Sequence, residues 1–190
     1  MKAASEDYES WIGRTETVED YVTPRLSAHL AATLGRHDPE PVRGDALPVG
    51  WHWALGATAQ VPEDLAEDGL PKKGGFLPAI PLPRRMWAGG RMTMHQPLRI
   101  GETVRCDSEV MSLVQKVGRS GPIAFVTLKK SYSGENGLAL VEEQDIAYRA
   151  ARAPDEKAPP PVSPPVAPVW RRTIEPDTVM LYRYSALTFN

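Results

Sequence analysis

Apolar residues recur along the chain at two different spacings, and each spacing predicts its own kind of element. Near the N-terminus they recur every four residues, which is typical of the buried stripe of an amphipathic helix. The stripe consists of Val18, Val22, Leu26, Leu30 and Leu34. The segment from Thr17 to Asp20 resembles a capping box, Thr23-Pro24 offers a second start signal, and Gly35 is typical of the residue that follows a helix. The pattern predicts one long helix over residues 18–34.

From Arg91 onward apolar and polar positions alternate, which is typical of half-buried β-strands. Strands are predicted at residues 91–98, 103–114, 123–133 and 138–149, and turn residues stand at 118–122 and at Asn136-Gly137. One helix followed by a meander of antiparallel strands indicates the α+β class. Because a strongly curved sheet of this size needs something to wrap, the expected architecture is a hot-dog fold around the 18–34 helix.

The remaining segments predict how the chain is divided into domains. Residues 36–90 are rich in proline and glycine but also contain tryptophans, so they predict long ordered excursions and not disorder. Residues 153–168 contain seven prolines, which is typical of a semi-rigid linker. The last ten residues predict a strand that runs into a turn. The expected division is a domain at 1–152, a linker at 153–169 and the first strand of a second domain at 170–190.

Composition excludes several classes of function. With 190 residues, a net charge of −2 and a pI near 6.1, the chain has no electrostatic case for binding nucleic acid or an anionic membrane surface. No apolar run is long enough to span a bilayer, and the acidic N-terminus does not resemble a signal peptide. Cys106 is the single cysteine, which fits a reducing cytoplasm. His52 and His95 lack the spacing of metal ligands, so no metal site is expected.

Two segments carry motifs that are specific enough to suggest a family. Residues 76–90 read Phe-Leu-Pro-Ala-Ile-Pro-Leu-Pro-Arg-Arg-Met-Trp-Ala-Gly-Gly, and residues 182–190 read Tyr-Arg-Tyr-Ser-Ala-Leu-Thr-Phe-Asn. Both resemble the MaoC-like hot-dog hydratases. The most similar branch contains 3-methylfumaryl-CoA (mesaconyl-CoA) hydratases and mitochondrial-type 3-hydroxyacyl-thioester dehydratases. Shorter matches at 11–14, 47–53 and 116–121 extend the resemblance over nearly the whole chain.

The resemblance implies a lyase that adds water to, or removes it from, an enoyl thioester. In the double hot-dog members of this family the second hot dog carries the catalytic pair on a loop, and Asn190 corresponds to the opening of that loop. The catalytic His segment would follow Asn190, so we expect this chain to be the N-terminal, acyl-binding half. Its activity without the other half stays open. The favoured reaction is hydration of mesaconyl-CoA to a 3-hydroxyacyl-CoA such as citramalyl-CoA.

The resemblance also suggests site residues and partners. Asn190 stands where the wider family places its catalytic acid, although an amide does not titrate and cannot act as a base. Tyr184 and Ser185 are candidates for the pocket wall, with a plain structural role as the alternative. Arg84, Arg85 and Trp87 are candidates for substrate binding, because arginine suits the phosphates of CoA; alternatively the arginines pair with surface acids. No cofactor is expected besides the CoA or acyl-carrier thioester. A homo-oligomer, a dimer for example, or pairing with a C-terminal hot-dog half is expected.

Two other functions compete with this interpretation. A hot-dog module without catalysis could bind acyl groups or pair with a catalytic subunit, and the absence of the catalytic His favours it for this chain by itself. A fatty-acid-type 3-hydroxyacyl-thioester dehydratase would carry out the same chemistry on a longer acyl chain. A hot-dog thioesterase is weaker still, because no nucleophile or acid stands out at a helix start.

Overall fold

The computed structural model describes residues 8–118, 121–151, 160, 162–163 and 165–190. Its strands are β1 (Thr15–Tyr21), β2 (Arg84–Met94), β3 (Thr103–Gly118), β4 (Gly121–Gly134) and β5 (Gly137–Arg149). Its helices are α1 (Pro24–Thr33) and α2 (Thr178–Thr188), and single 3-10 turns occur at Tyr8–Trp11, Trp51–Ala54 and Pro62–Asp64.

The five strands form one antiparallel sheet in the order β1-β3-β4-β5-β2. The strands predicted at 103–114, 123–133 and 138–149 are confirmed as β3, β4 and β5. The β4–β5 hairpin turns at the predicted place, and Gly137 has a φ of 91°, a left-handed conformation that favours glycine. The strand predicted from Arg91 begins at Arg84 instead, so the Arg84–Gly90 motif lies within the sheet. The other predicted turn, at 118–122, lies partly outside the described residues.

The prediction of a helix over 18–34 is wrong in its first half. Residues Thr15–Tyr21 are strand β1, in which Val18 pairs with Cys106 of β3. A spacing of four is also a multiple of two, so Val18 and Val22 satisfy the strand period as well as the helix period. The helix begins at Pro24, because proline restricts the preceding residue to an extended backbone and suits the first helical position. Thr23 is extended (ψ 145°) and caps the helix by accepting a hydrogen bond from the Leu26 N–H at 2.9 Å.

The prediction of a C-terminal strand is also wrong. Residues Thr178–Thr188 form helix α2, whose first turn is capped by the Asp177 side chain at 2.7 Å from the Met180 backbone nitrogen. Asp is among the most favourable N-cap residues, so this cap starts a helix where a strand was predicted. The helix ends at Phe189, a non-glycine residue in the left-handed conformation (φ 52°).

One face of the sheet carries two apolar clusters. The first joins Leu30 and Ala31 of α1 to sheet residues such as Val104, Tyr132 and Leu140. Tyr184 and Leu187 of α2 pack against this cluster. The second cluster lies at the other end of the strands: Ile80, Val110, Ala124, Val126, Leu128 and Tyr148. The expected packing of sheet against helix is confirmed, with a helix of ten residues where seventeen were predicted.

The C-terminal strand of the expected domain division is wrong, and the rest of that division stays a prediction. Most of the linker assigned to 153–169 lies outside the described residues. Within the described part of the chain, no helix is both long and apolar enough to cross a membrane.

Candidate active-site cleft

A cleft of about 560 Å³ opens between the sheet and helix α2. Its lining residues come from the Trp51–Ala54 turn region, from β2, β4 and β5, and from the C-terminal end of the chain: Trp53, Leu55, Leu70, Arg85, Met86, Trp87, Lys130, Tyr132, Glu142, Gln144, Ile146, Tyr184, Thr188, Phe189 and Asn190. This volume lies within the range of small-molecule sites, about 300–1,000 Å³. The cleft joins both sequence motifs, since Arg85 and Trp87 belong to the first and Tyr184 and Asn190 to the second.

The floor of the cleft is a polar stretch of the sheet. Successive strand residues point to opposite faces, so Lys130 and Tyr132 of β4 share a face with Glu142 and Gln144 of β5. Lys130 lies directly opposite Glu142 in the β4–β5 register. The polar stretch separates the two apolar clusters, which leaves polar groups at the centre of an otherwise apolar face.

Glu142 is held in place by two aromatic side chains of the Trp51–Ala54 turn. One carboxylate oxygen lies 3.2 Å from His52 Nε2, and the other accepts a hydrogen bond from Trp53 Nε1 at 3.0 Å. His52 and Glu142 are only 1% and 3% exposed. The His52 ring also meets the edge of Tyr132, with ring centroids 5.0 Å apart. His52 is buried and does not line the cleft, so it acts as a packing residue that also holds Glu142.

The hydrogen bonds determine the charge of Glu142. Desolvation raises the pKa of Glu142, but hydrogen bonds from His52, Gln144 and Trp53 and the His52 charge more than offset it. The pKa therefore lies below the ordinary value of 4.5, and the carboxylate stays ionised at neutral pH. A carboxylate whose oxygens already accept several hydrogen bonds is a poor proton acceptor, so Glu142 shapes the cleft and does not serve as its base.

Arg85 lies in the cleft wall but is already paired. Its Nε and Nη2 donate to the two carboxylate oxygens of Asp68 at 3.2 and 3.1 Å, and Nη2 also reaches the Pro71 carbonyl. Its side chain is 6% exposed. Burial raises the pKa of Asp68, but the Arg85 and Leu70 hydrogen bonds and the Arg85 charge outweigh it and lower that pKa. For Arg85, this arrangement matches the alternative in which the arginines pair with surface acids.

Trp87 lies in the wall on the β2 side, and Gly90 lies beside its indole. The register of β2 against β5 shifts between Trp87 and Gly89. A side chain at Gly90 would place its Cβ 2.9 Å from the Glu143 carbonyl oxygen and 3.5 Å from the Trp87 indole. Glycine therefore lets the indole lie close against the strand. The indole is 67% exposed, so it is available to a ligand.

Helix α2 contributes the opposite wall. Tyr184, Thr188 and Asn190 line the cleft, and burial raises the pKa of the Tyr184 phenol, which stays protonated as a possible donor. The Asn190 N–H donates to the Ser185 carbonyl at 3.2 Å, which closes the helix end. Ser185 itself and Arg84 do not line the cleft.

Sequence reasoning missed Trp53 of the 3-10 turn and four sheet residues of the site: Lys130, Tyr132, Glu142 and Gln144. The available signal was polar residues at inward positions of strands, where an apolar residue is the rule. The expectation of no metal cluster stays a prediction; among the described residues, no group of three or more His, Cys, Asp or Glu side chains is placed to hold an ion.

Comparison with known proteins identifies the family. A model of the family "hydroxyacyl-thioester dehydratase type 2" matches residues 50–190. The mesaconyl-C(4)-CoA hydratase of Chloroflexus aurantiacus is 45% identical over 188 residues, which are 98% of this chain and 67% of that protein. The mitochondrial hydroxyacyl-thioester dehydratase type 2 of Schizosaccharomyces pombe is 24% identical over 91% of this chain and 66% of its own length. The chain thus spans about two thirds of these curated relatives.

Solved structures agree on the fold. A MaoC-like dehydratase from Phytophthora capsici superimposes with a TM-score of 0.63 at 15% identity, over 93% of this chain and 61% of that one. The ChsH1-ChsH2 complex from Mycobacterium tuberculosis gives a TM-score of 0.54 at 14% identity, over 74% of this chain and 85% of the other. These similarities confirm the hot-dog fold, and together with the family match they show that the chain belongs to the hydroxyacyl-thioester dehydratase type 2 family.

Proposed function

We propose that this chain is the acyl-binding half of a hydro-lyase that acts on an enoyl thioester. The observation that carries the proposal is the cleft, which is lined by residues of both family motifs: Arg85 and Trp87 from one, Tyr184 and Asn190 from the other. An apolar cleft with a few polar groups on one side suits a short acyl group.

Hydration places demands that the cleft meets in part. Water adds its oxygen to the β-carbon, a proton goes to the α-carbon, and negative charge develops on the thioester oxygen, where donors stabilise it. Tyr184, Gln144 and Asn190 are neutral hydrogen-bonding groups that can orient water or a carbonyl. Among the residues that line the cleft, Glu142 is the carboxylate present, and its oxygens are engaged. We therefore propose that the acid–base pair comes from a further segment or from a second chain.

The proposed substrate is the thioester of a branched C5 dicarboxylic acid, mesaconyl-CoA, with a 3-hydroxyacyl-CoA such as citramalyl-CoA as product. Support comes from the 45% identity to the mesaconyl-C(4)-CoA hydratase. No cofactor is proposed, because adding water to a conjugated double bond leaves the overall oxidation state unchanged. Pairing with another hot-dog half is part of the proposal, and the cytoplasmic location stays a prediction.

The test is hydration of mesaconyl-C4-CoA, followed by the loss of enoyl-thioester absorbance and by mass detection of the hydrated product. We expect turnover when a family C-terminal half is joined to or mixed with this chain, and at least about 100-fold less without it, because general acid–base catalysis contributes about 10²–10⁴-fold. A folded assembly that binds the thioester but shows no turnover in either condition would contradict the lyase.

The second candidate is a hot-dog module that binds acyl thioesters without catalysis. It is favoured by the engaged state of Glu142, because the described residues that line the cleft then offer no carboxylate free to accept a proton. The same assay separates the two functions, because a binding module would show saturable thioester binding in calorimetry and no product.

A further inference from the structure

Among the residues that the structure describes, two cations line the cleft, and only one of them has an acidic partner. Arg85 is bidentate to Asp68, so its charge is already matched. Lys130 has no hydrogen-bond or ion-pair partner among the residues that the structure describes, although it is partly buried on the cleft floor. A cation in that position lacks part of its hydration and gains no protein partner in return, which makes it a natural site for an anion.

The neighbours of Lys130 do not neutralise it. Across β4 it lies between Ser108 of β3 and Glu142 of β5. Directly opposite residues in such a pair have Cβ atoms about 5 Å apart. Glu142 lies opposite Lys130, but its carboxylate oxygens are engaged with His52 and Trp53. The lysine amine therefore keeps its donors for a ligand.

Lys129, the next residue, shows the contrast. It points to the other face of the sheet and lies between two acidic cross-strand neighbours, Glu109 and Glu143. Surface lysines between acids are an ordinary feature of antiparallel sheets. Lys130 therefore differs from its neighbour in facing the cleft and in its place among apolar lining residues.

We propose that Lys130 is a specificity-determining residue that binds the free carboxylate of a dicarboxylic monothioester in the cleft between the sheet and helix α2. This proposal rests on the proposed function, since it specifies how the acyl-binding half would select its substrate. An ammonium–carboxylate hydrogen bond is stronger than a hydrogen bond between neutral groups. A lysine cannot supply bidentate geometry, and this bond does not need it. Neutral enoyl thioesters of similar size lack the group that Lys130 recognises.

The test uses Lys130→Met, which keeps the aliphatic stem and removes the charge, in the assembly that hydrates the thioester. Hydration of mesaconyl-C4-CoA is compared with that of a neutral analogue in which the free carboxylate is replaced by its methyl ester. For the variant we expect kcat/KM to fall about 10- to 100-fold on the dicarboxylic substrate, as for loss of a charged hydrogen bond, and less than about threefold on the neutral one. Lys130→Arg should restore part of the preference, and Lys129→Met should change neither value.

The outcomes separate this proposal from the proposed function. Failure of the unmodified assembly to hydrate either thioester would overturn the proposed function, and equal mesaconate binding by the unmodified chain and Lys130→Met would then overturn the role of Lys130. Normal hydration with equal losses on both substrates in Lys130→Met would leave the lyase standing and overturn the role of Lys130. Circular dichroism of each variant checks folding, and direct binding of mesaconate to the chain, weakened in Lys130→Met but not in Lys129→Met, provides a second readout if catalysis is too slow to measure.

Discussion

At the scale of single residues, Glu142 shows how one buried charge depends on its partners. Its carboxylate accepts hydrogen bonds from two side chains of the same 3-10 turn, so it connects that turn to β5. Removing one partner of such a buried set leaves the others with unsatisfied polar atoms, which costs about 1–3 kcal/mol.

We therefore predict that Glu142→Gln lowers the free energy of unfolding by about 1–3 kcal/mol at pH 7, because the new amide places a donor against His52 or Trp53. The effect should depend on pH. The folded pKa of Glu142 lies below the ordinary value of 4.5, so its stabilisation is present above that value and is lost as the pH falls through the folded pKa. The difference between the two proteins should shrink towards pH 3. Urea denaturation followed by tryptophan fluorescence measures it.

The matched control is Glu143→Gln, which removes the neighbouring carboxylate on the opposite face. Glu143 pairs with Arg91 at 2.7 Å in an exposed position, and screened surface pairs contribute little. Little change is expected at any pH. Equal effects of the two substitutions would mean that burial of Glu142 has no energetic consequence.

At the scale of elements, β2 positions the aromatic wall of the cleft through a glycine. We predict that Gly90→Ala destabilises the protein by about 1–3 kcal/mol, as for overpacking, because the added Cβ meets the backbone of β5 at 2.9 Å. It should also shift the emission of Trp87, whose ring lies beside the new methyl group. Gly89→Ala is the control, since its nearest contact would be the Asp145 side chain at 4.0 Å. Thermal unfolding and fluorescence spectra of both variants decide the matter.

Element types were predictable where one period was present and capping signals agreed with it. Strands β3 to β5 are long and alternate clearly, so the sequence was sufficient to place them. The element at residues 15–22 was predicted wrongly because a spacing of four fits both a helix and a strand. Pro24 is the signal that separates strand β1 from helix α1. Helix α2 was missed because Asp177 was not considered as a cap. Asn190, Tyr184, Arg85 and Trp87 were predicted from motifs, and the structure brings them to one cleft; their roles stay predictions.

The sheet residues of the site were harder to predict. Lys130 and Glu142 stand at inward positions of the alternation in β4 and β5, but as polar residues they also fit exposed strand positions, so the local sequence does not decide between the two. Their placement depends on the register between β4 and β5, which is a long-range property of the fold.

At the scale of the whole molecule, exposed apolar surface collects on helix α2. Val179, Leu181 and Tyr182 are exposed, as is Phe189 at the helix end, and β1 and β2 are the open edges of the sheet. Exposed apolar patches and open edges both favour association. The expected homo-oligomer stays a prediction, and helix α2 is the candidate contact.

We predict that copies of this chain associate in solution and that Tyr182→Lys weakens the association at least about tenfold, as for loss of a well-packed interface aromatic. Val117→Lys, at the far end of β3, changes an equally exposed residue and should have little effect. Light scattering over a range of concentrations measures both. A monodisperse monomer at every concentration would contradict the prediction.

The capped helix α2 also has a practical meaning for proteolysis. It supplies one side of the cleft from residues 184–190, whereas all five strands of the sheet lie outside that region. A protease that cut the chain before Asp177 would leave the sheet and its spectroscopic signals unchanged. The cleft would lose the wall that helix α2 supplies. Preparations clipped at that point would pass a folding check and still fail to retain a ligand, so intact mass is the quantity to verify before any binding experiment.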